Sequence, residues 1–450
     1  MNKINCFVPF SGAAQAEKTV KGLQETGIVN NIYLLALPDV TENLPGCSTL
    51  HMQSIQSSTA MRDIAGHSDA EYTLIYTKYT TLELGLFALE RMIHIAEDSG
   101  AGMVYADRYQ VKEGKQTNAP VIDYQFGSLR DDFDFGSVLL FRTDAFKEAA
   151  ARMNEDEYKF AGLYDLRLKV SQKESLVHIN EYLYSEIEDD TRKSGEKIFD
   201  YVDPRNRDRQ IEMEQACTEH LKEIGGYLVP EFKQIEFSAG NFEYEASVII
   251  PVRNRIRTIR DAIHSVLKQK TDFKFNLIII DNHSTDGTTE AIDEFKNDER
   301  LIHIIPERKD LGIGGCWNMG VHHPKCGKFA VQLDSDDVYS DENTLTTMVR
   351  AFYEQNCAMV VGTYMMTDFN MNMIAPGIID HKEWTPENGR NNALRINGLG
   401  APRAFYTPVL REVKVPNTSY GEDYALGLNF SRQYQIGRVY DVVYLCRRWD

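Results

Sequence analysis

Short runs of β-branched and apolar residues alternate with amphipathic stretches in the second half of the chain. The runs at 246–252, 275–281, 301–306 and 328–334 have the length and composition of buried parallel strands. Apolar residues recur at helical spacing in 255–269, which predicts a helix between the first two strands. This order favours right-handed crossovers and a mainly parallel sheet. In such sheets, ligands bind at the C-terminal ends of the strands.

The first half of the chain repeats the same order of segments in a weaker form. Phe7-Val8-Pro9 matches Ile249-Ile250-Pro251, and the strand-like segment 72–76 matches 329–333. Further matches keep this order: 31–35 with 276–280, 101–109 with 357–365, 135–146 with 399–410, 163–171 with 421–431, and 178–184 with 438–444. Each match alone is weak, but their common order predicts an internal duplication.

The duplication divides the chain into two repeats and a connection. We expect a first repeat over 1–190, a linker over 191–240 and a second repeat over 241–450. A capped start at Asp203-Pro204 and a glycine pair at its end predict one linker helix over 204–224. That helix serves either as a spacer or as a packed clamp.

Composition agrees with two globular domains and excludes several classes of partner. The 450 residues carry 67 acidic against 49 basic side chains, a net charge of −18, which argues against nucleic acid and against a broad basic membrane-binding surface. No apolar run has the length of a transmembrane segment, and the N-terminus lacks signal-peptide features. Seven scattered cysteines without a C-x-x-C pair indicate reduced thiols. We therefore expect a cytoplasmic protein, either free or peripheral at the membrane.

The strongest chemical signal is a group of three carboxylates directly after the predicted strand at 328–334. Asp334, Asp336 and Asp337 repel one another, and a folded protein keeps them together mainly when a cation or solvent neutralises them. Hard oxygen ligands with open coordination positions suit Mn²⁺ or Mg²⁺ bridging a diphosphate. The alternative is a solvated acidic turn that caps a helix at Glu342.

Two further segments place candidate groups near predicted strand ends. Asp281 ends the second strand of the repeat, where it is suited to accept a hydrogen bond from a nucleobase or ribose, or to cap the next helix. The segment 310–320 is rich in glycine and lacks the dinucleotide-binding fingerprint. We expect it to form a flexible loop that contributes Trp317 to the floor of a nucleotide pocket.

The last thirty residues supply a candidate base and a candidate cation. Asp423 follows Glu422 at a predicted loop–helix junction, where it acts either as a general base or as an N-cap. Arg448 and Trp449 suit phosphate binding and sugar stacking, or else form a basic terminus with a packing tryptophan.

Several of these segments are similar to motifs of one enzyme family. They are VIIPVRNR (248–255), IDNHSTDGT (280–288), GIGGCWNMG (312–320), LDSDDVY (333–339) and GEDYAL (421–426). Together they resemble the family 2 glycosyltransferases of GT-A fold, specifically over 241–450 and weakly over 1–190. The resemblance implies two tandem α/β domains of GT-A type with mainly parallel mixed sheets, joined by a helical linker. It also implies an inverting transfer of a sugar from a nucleotide-diphospho-sugar.

The resemblance assigns expected roles to individual residues. The expected nucleotide-binding residues are Pro251, Arg253, Asp281 and Asp334. The expected ligands of Mn²⁺ or Mg²⁺ are Asp336 and Asp334, and the expected general base is Asp423. Further candidates are Glu422, Asp337, Trp317 and Arg448. The expected donor is a UDP-sugar, and the expected acceptor is a glycan or a lipid-linked sugar.

This sequence departs from the family pattern in three places. Leu445 replaces the glutamine of the Q-x-x-R-W motif found in processive members, which argues against polymerisation. No histidine follows His381, so either another group completes the metal site or the chain ends before such a segment. In the first repeat, Thr77 and Tyr79 align with Asp334 and Asp336, and neither can replace a carboxylate on Mg²⁺. We therefore expect a catalytically inactive first repeat, although Asp165 aligns with Asp423.

Two other functions are alternatives to a glycosyltransferase. A non-catalytic nucleotide-sugar-binding or scaffold protein of the same fold is the main alternative. A nucleotidyltransferase is less favoured because the first strand of the second repeat is followed by PVRNRIR and not by a glycine-rich loop. For the first repeat we expect one of three roles: it binds the acceptor glycan, it mediates formation of a homo-oligomer, or it braces the second repeat. Tyr76, Tyr79, Tyr105 and Tyr109 are aromatic candidates there, either for sugar stacking or for core packing.

Overall fold

The computed structural model describes residues 3–188, 206–238, 240–382 and 384–448. These residues form two compact units. The first domain is the described part of Met1–Arg192 with Asp208–Tyr227, and the second is the described part of Lys193–Arg207 with Leu228–Asp450. No helix in the described ranges is both long enough and apolar enough to span a membrane.

The first domain is built on one sheet with helices on its faces. Its strands are β1 (Ile4–Phe10), β2 (Val29–Ala36), β3 (Ser48–His51), β4 (Tyr72–Tyr76), β5 (Thr81–Leu84), β6 (Met103–Lys112), β7 (Lys115–Ala119), β8 (Val138–Arg142) and β9 (Leu176–Glu188). Its helices are α1 (Ala13–Glu25), α2 (Ser58–His67), α3 (Ala88–Ser99), α4 (Thr143–Ala151), α5 (Gly162–Ser171) and, from Asp208 onward, α6 (Arg207–Glu223).

The second domain has the same kinds of element in the same order. Its strands are β10 (Ala246–Val252), β11 (Phe275–Asp281), β12 (Leu301–Ile304), β13 (Phe329–Gln332), β14 (Val338–Tyr339), β15 (Met359–Thr367), β16 (Met373–Ile379), β17 (Arg403–Tyr406) and β18 (Ile436–Arg447). Its helices are α7 (Ile259–Leu267), α8 (Thr288–Asp293), α9 (Ile313–His322), α10 (Thr344–Gln355), α11 (Gly389–Asn392), α12 (Thr407–Val413) and α13 (Glu422–Gln433).

The two sheets have one topology. The first has the order β3-β2-β1-β4-β8-β6-β9-β5, with β7 paired to β6. The second has the order β12-β11-β10-β13-β17-β15-β18-β14, with β16 paired to β15, so each strand number is raised by nine. Within the described residues, parallel and antiparallel pairings are equally frequent, so both sheets are more evenly mixed than we predicted. The prediction of two tandem GT-A domains is confirmed.

The registers of the strands fix which residues correspond between the domains. Tyr72 pairs with Ile4 of β1 and Arg142 of β8, just as Phe329 pairs with Ala246 of β10 and Tyr406 of β17. Tyr72 therefore corresponds to Phe329. Counting forward from these two residues along each domain, Thr77 corresponds to Asp334 and Tyr79 to Asp336, as the sequence comparison predicted.

The core explains why the strand residues are apolar along their whole length. Alternate residues of β1 pack into two different clusters, because Cys6 and Val8 lie in one and Phe7 in the other. A strand with both faces covered by helices has no polar face, which gives the continuous apolar runs in the sequence. The core of the second domain is a single larger cluster, and its fully buried members include the four consecutive apolar residues Leu277 to Ile280.

The linker helix is present as α6, although the predicted cap at Asp203-Pro204 lies outside the described residues. Its Glu212 Oε2 accepts hydrogen bonds from the backbone N–H groups of Phe160, at 2.6 Å, and Ala161, at 3.2 Å. These residues directly precede α5, so Glu212 supplies acceptors for donors at the start of that helix. From Asp208 onward, α6 thus packs onto the first domain.

Two predicted element bounds differ from the structure for tertiary reasons. The helix predicted over 255–269 begins only at Ile259. The backbone N–H of Asn254 instead bonds to Ser284 Oγ in a neighbouring loop, and that of Arg255 bonds to Thr288 Oγ1 at the start of α8. The glycine-rich segment is helix α9, and the prediction of a flexible loop there was wrong. A Cβ at Gly314 would lie 1.7 Å from Pro416 O, so glycine is needed for close packing against 415–418.

Candidate active site

The acidic turn after β13 divides its carboxylates between two environments. Asp334 and Asp336 line a cavity of about 350 Å³ at the C-terminal end of the strand. Asp337 is buried, and its carboxylate accepts hydrogen bonds from Arg447 N at 2.7 Å and Tyr444 Oη at 2.9 Å. Asp337 therefore anchors the turn to β18, and the two other carboxylates face the cavity.

The electrostatics of this turn favour an added cation. Burial raises the pKa of Asp334, and burial together with the Asp334 charge raises the pKa of Asp337 to about 8. Arg255 Nε lies 3.5 Å from Asp336 Oδ2, and that carboxylate keeps 24% of its surface exposed. A cation bound at this turn would stabilise the ionised forms of these carboxyl groups.

The donor set fits a hard divalent cation that shares its coordination with a substrate. In the described ranges, no group of three or more histidine, cysteine, aspartate or glutamate side chains converges as a complete metal site. Mg²⁺ and similar ions are commonly held by one or two carboxylates, with phosphate oxygens and water completing the shell. Asp336 and Asp334 provide such a pair on the cavity wall.

A hydrogen-bond chain joins the acidic turn to the start of α13. Gln332 Nε2 donates to Asp334 Oδ1 at 3.0 Å, and Gln332 Oε1 accepts from Arg403 Nη1 at 3.0 Å. Arg403 Nη2 in turn donates to Asp423 Oδ2 at 2.6 Å. Asp334 and Asp423 are thereby held on one cavity by two intervening side chains.

The first turn of α13 presents two carboxylates to the cavity. The N-cap residue is Gly421, with φ 79°, so the interpretation of Asp423 as the N-cap was wrong. The Asp423 carboxylate is 29% exposed and pairs with Arg403, which is only 11% exposed. Burial, with the neighbouring Asp423 charge, raises the pKa of Glu422, which also lines the cavity.

A second cavity of about 240 Å³ lies beside the first and shares Pro251 and Arg255 with it. Arg253 lines this second cavity. Asp281 does not line either cavity: it is fully buried, and its oxygens accept from Ser284 N at 3.0 Å and Thr289 Oγ1 at 2.5 Å. Burial opposes ionisation of Asp281, but His303, whose Nε2 lies 3.5 Å from Asp281 Oδ2, and the hydrogen bonds from Ser284 and Thr289 hold its pKa well below the usual range.

Asn282 and helix α9 complete the walls of the two cavities. Asn282 follows Asp281 in the turn after β11, and its polar side chain lines the second cavity. Trp317 of α9 lines the first cavity, and its ring contacts Phe405 at a centroid distance of 6.2 Å. Trp317 therefore lies on a cavity wall, and its place in a nucleotide pocket stays a prediction.

Arg447 and not Arg448 makes the contacts that hold the acidic turn. The Arg447 side chain is 1% exposed, donates from Nε to Asp336 O at 2.5 Å and pairs through Nη1 with Asp261 Oδ2 at 2.7 Å. Arg448 N donates to Thr367 O at 2.9 Å, and neither cavity lining includes its side chain. Trp449 lies outside the described residues.

Sequence reasoning missed Gln332, Arg403 and Arg255 as members of the site. Gln332 ends a short strand in front of the acidic residues, and Arg403 begins the antiparallel strand β17. They meet because β13 pairs with β17, which no local motif reveals. The only available signal was a polar residue in each of two otherwise apolar strands.

The second domain has a mixed α/β sheet, a carboxylate pair at the end of a central strand and a further carboxylate across the same cavity. These features define it as a GT-A domain. Comparison with known proteins specifies this class. The family model Glycosyl transferase family 2 matches residues 247–406, which ends before Asp423. We therefore place the second domain in glycosyltransferase family 2.

Curated relatives agree with that placement. Glycosyltransferase GlyG of Streptococcus pneumoniae is 28% identical over 122 residues, which cover 27% of this chain and 40% of that protein. The glucosyltransferase WfgD of Escherichia coli is 27% identical over 210 residues, covering 46% of this chain and 77% of that protein. The match to GlyG thus spans less than half of its length.

Solved structures show a weaker likeness. The structure of Staphylococcus aureus TarS residues 1–349 with UDP-GlcNAc is 21% identical and has a TM-score of 0.38, covering 46% of this chain and 59% of that one. Because this score is low, the family placement does not rest on it.

Proposed function

We propose that the second domain is an inverting glycosyltransferase. It transfers a sugar from a nucleotide-diphospho-sugar, with a UDP-sugar favoured, to a hydroxyl group of a glycan or lipid-linked acceptor. Asp423 acts as the general base, and Asp336 with Asp334 holds Mn²⁺ or Mg²⁺. The first domain takes no part in the chemistry.

One observation carries this proposal: Asp334, Asp336 and Asp423 line the same cavity of about 350 Å³. A transferase needs charge neutralisation at the leaving diphosphate and a proton acceptor at the attacking hydroxyl. The hydrogen bonds through Gln332 and Arg403 hold the Asp334 and Asp423 carboxylates in position relative to each other. A solvated acidic turn would need neither this connection nor a shared cavity.

The reaction can be followed through the residues of this chain. Asp423 accepts the proton of the acceptor hydroxyl as its oxygen forms a bond to the anomeric carbon. The bond between that carbon and the diphosphate oxygen breaks, and the electron pair leaves with the nucleoside diphosphate. A bound divalent cation would neutralise the charge on this leaving group. Arg403 orients Asp423 through the 2.6 Å ion pair.

The donor and acceptor classes follow the printed names of the relatives. WfgD is described as a UDP-Glc:alpha-D-GlcNAc-diphosphoundecaprenol beta-1,3-glucosyltransferase, which supports a UDP-sugar donor and a lipid-linked acceptor. The cavity that includes Arg253, Pro251 and Asn282 offers room beside the acidic turn for the nucleoside.

Calorimetry with UDP, with and without Mn²⁺, tests the donor site. Wild type should bind UDP in a metal-dependent way, and Asp336→Ala should lose that dependence because one of two cation ligands is gone. Asp272→Ala changes an exposed aspartate that lines neither cavity and is the matched control. Equal metal dependence in Asp336→Ala and wild type would contradict the proposal.

A transfer assay separates the enzyme from the non-catalytic alternative. Metal-dependent UDP binding without turnover of UDP-sugars, and a biological function indifferent to Asp423→Asn, would favour a nucleotide-sugar-binding scaffold. Release of UDP coupled to a glycosylated product, lost in Asp423→Asn, supports the transferase.

A further inference from the structure

The first domain also has a cavity at the C-terminal end of its central strand. This first-domain cavity has a volume of about 510 Å³. It is lined by Thr77 and Lys78 after β4, by residues of 131–139 leading into β8, and by Leu163, Tyr164 and Arg167 of α5. The reaction cavity of the second domain uses the corresponding segments after β13, around the start of β17 and in the first turn of α13.

The charges that line the two cavities differ in kind. The ionisable residues of the second-domain cavity are Asp334, Asp336, Glu422 and Asp423, with Arg255 and Arg403. Those of the first-domain cavity are Lys78, Arg108, Arg167 and Arg209, with Asp131, Asp132 and Asp134. The positions of the two cation-binding carboxylates hold Thr77 and Tyr79. In place of the carboxylate pair, the first domain thus has two residues without a carboxylate, with Lys78 between them.

Arg108 has an unused donor in the wall of this cavity. Its side chain is 6% exposed, Nε donates to Glu186 Oε2 at 3.1 Å and Nη2 donates to Asp134 Oδ2 at 3.0 Å. Its Nη1 is buried without a hydrogen-bond partner among the described residues. Lys78 shares the fully buried Glu186 carboxylate with Arg108, at 2.7 Å. An unsatisfied buried guanidinium nitrogen is costly, which indicates a place for an added acceptor.

Aromatic side chains form another part of the wall. They are Phe133, Phe135, Phe160 and Tyr164. Arg167 lies over the Tyr164 ring at 4.8 Å and the Phe135 ring at 5.3 Å, and donates to the carbonyl groups of Ser128 and Arg130 at 3.2 and 3.0 Å. Carbonyl groups and rings do not neutralise the guanidinium charge as a carboxylate would.

We propose that the first-domain cavity binds an anionic saccharide, a sugar ring that carries a carboxylate or a phosphate group, without a metal ion. The aromatic side chains pack against the C–H groups of the ring. The anionic group is received by the cationic side chains of the wall, which are Lys78, Arg108, Arg167 and Arg209. This binding is independent of the transfer proposed for the second domain. The four tyrosines named from the sequence do not line this cavity, and two of them, Tyr76 and Tyr105, are fully buried.

Calorimetry on the full chain in the presence of EDTA tests this proposal with glucuronate, glucose 6-phosphate, glucose and UDP. We expect wild type to bind one or both anionic sugars more tightly than glucose, and the stronger of the two identifies the anionic group. The double variant Lys78→Ala/Arg209→Ala should bind that sugar about tenfold more weakly or worse. Lys21→Ala/Arg91→Ala removes two charges that do not line the cavity and should leave the affinity unchanged. Asp336→Ala should also bind normally.

Hydrogen–deuterium exchange with the stronger anionic sugar locates the site independently of any variant. Protection of 128–139 and 160–167 supports the proposal, whereas protection confined to the second domain overturns it. Phe160→Ala tests the aromatic wall if the double variant does not fold, as judged from its melting temperature. The proposal is also overturned by glucose binding as tightly as the anionic sugars, by binding of UDP alone, by full affinity in the cavity variants, or by no binding at millimolar concentration.

Discussion

The two domains have the same strand order, yet different chemistry at the ends of the same strands. After β13 the chain places Asp334 and Asp336 on a cavity, and after β4 it places Thr77 and Lys78 on one. The fold thus provides a location for a ligand, and a few side chains decide which ligand. A shared fold does not show that both domains catalyse the same reaction.

The candidate base illustrates the same difference on a helix. Asp423 lines its cavity and pairs with Arg403, whereas Asp165, its partner in the sequence alignment, does not line the first-domain cavity. Asp165 is buried and accepts from Asn154 N at 3.1 Å, and its neighbour Tyr164 faces the cavity. Alignment in the sequence therefore does not give Asp165 the position that Asp423 has on its cavity.

The largest expected effect concerns the carboxylate pair. Asp336→Ala should lower kcat/KM of sugar transfer by about 10³-fold, because loss of the cation forfeits several kcal/mol of transition-state stabilisation. Tyr79→Ala, at the corresponding first-domain position, should leave transfer within about twofold of wild type. Steady-state assays with UDP-sugar and acceptor measure both. Equal losses in the two variants would show that both domains take part in the chemistry.

The next effect concerns the base. Asp423→Asn should lower kcat by roughly 10²- to 10³-fold, because the amide cannot accept the hydroxyl proton. Binding of UDP should be unchanged in this variant, as calorimetry can show. The first-domain counterpart on its cavity is Tyr164, and Tyr164→Phe should leave kcat unaffected. A fully active Asp423→Asn enzyme would remove Asp423 from the mechanism.

A smaller effect is expected for Arg403, which orients Asp423 through the ion pair at 2.6 Å. Arg403→Gln should lower kcat about tenfold, with the donor KM changed by less than about twofold, because only the positioning of the base is lost. Arg403→Lys should recover part of the activity. A raised donor KM at wild-type kcat would instead assign Arg403 to donor binding.

The smallest effect is on stability and concerns Asp165. Burial raises its pKa to about 6, above the value near 3.9 of an unfolded chain. The folded state therefore binds this proton more tightly, and stability falls as pH rises from about 4 to about 6, by at most about 3 kcal/mol.

Asp165→Asn should abolish that contribution. The free energy of unfolding of the variant minus that of wild type should be larger by about 2 kcal/mol at pH 7.5 than at pH 4, measured by urea denaturation. A difference between variant and wild type that is the same at both pH values would contradict the shifted pKa.

The sequence predicted those parts of the fold that depend on local composition. The apolar runs at 246–252 and 275–281 coincide with β10 and β11, because strands covered on both faces have no polar face and are apolar over most of their length. The start of α7 and the helical state of α9 depend on contacts with distant loops. Such contacts leave no periodicity in the sequence.

The site was predictable where the residues are close in sequence and not where pairing of strands creates it. The acidic turn was identified from three neighbouring carboxylates, but the separate role of Asp337 depends on Tyr444 and Arg447. Arg403 could not be connected to Gln332 without the pairing of β13 with β17. Roles on nucleotide, metal and acceptor stay predictions for all of these residues.

The hydrogen bonds between β18 and the acidic turn have a consequence for the biosynthesis of the protein. Asp337 lies 110 residues before Arg447, the residue whose backbone N–H binds its carboxylate. At a synthesis rate of about 5–20 residues per second, a nascent chain therefore exposes its three repelling carboxylates for several seconds before their partner strand is made. The acidic turn can therefore reach its final structure only after β18 has been synthesised.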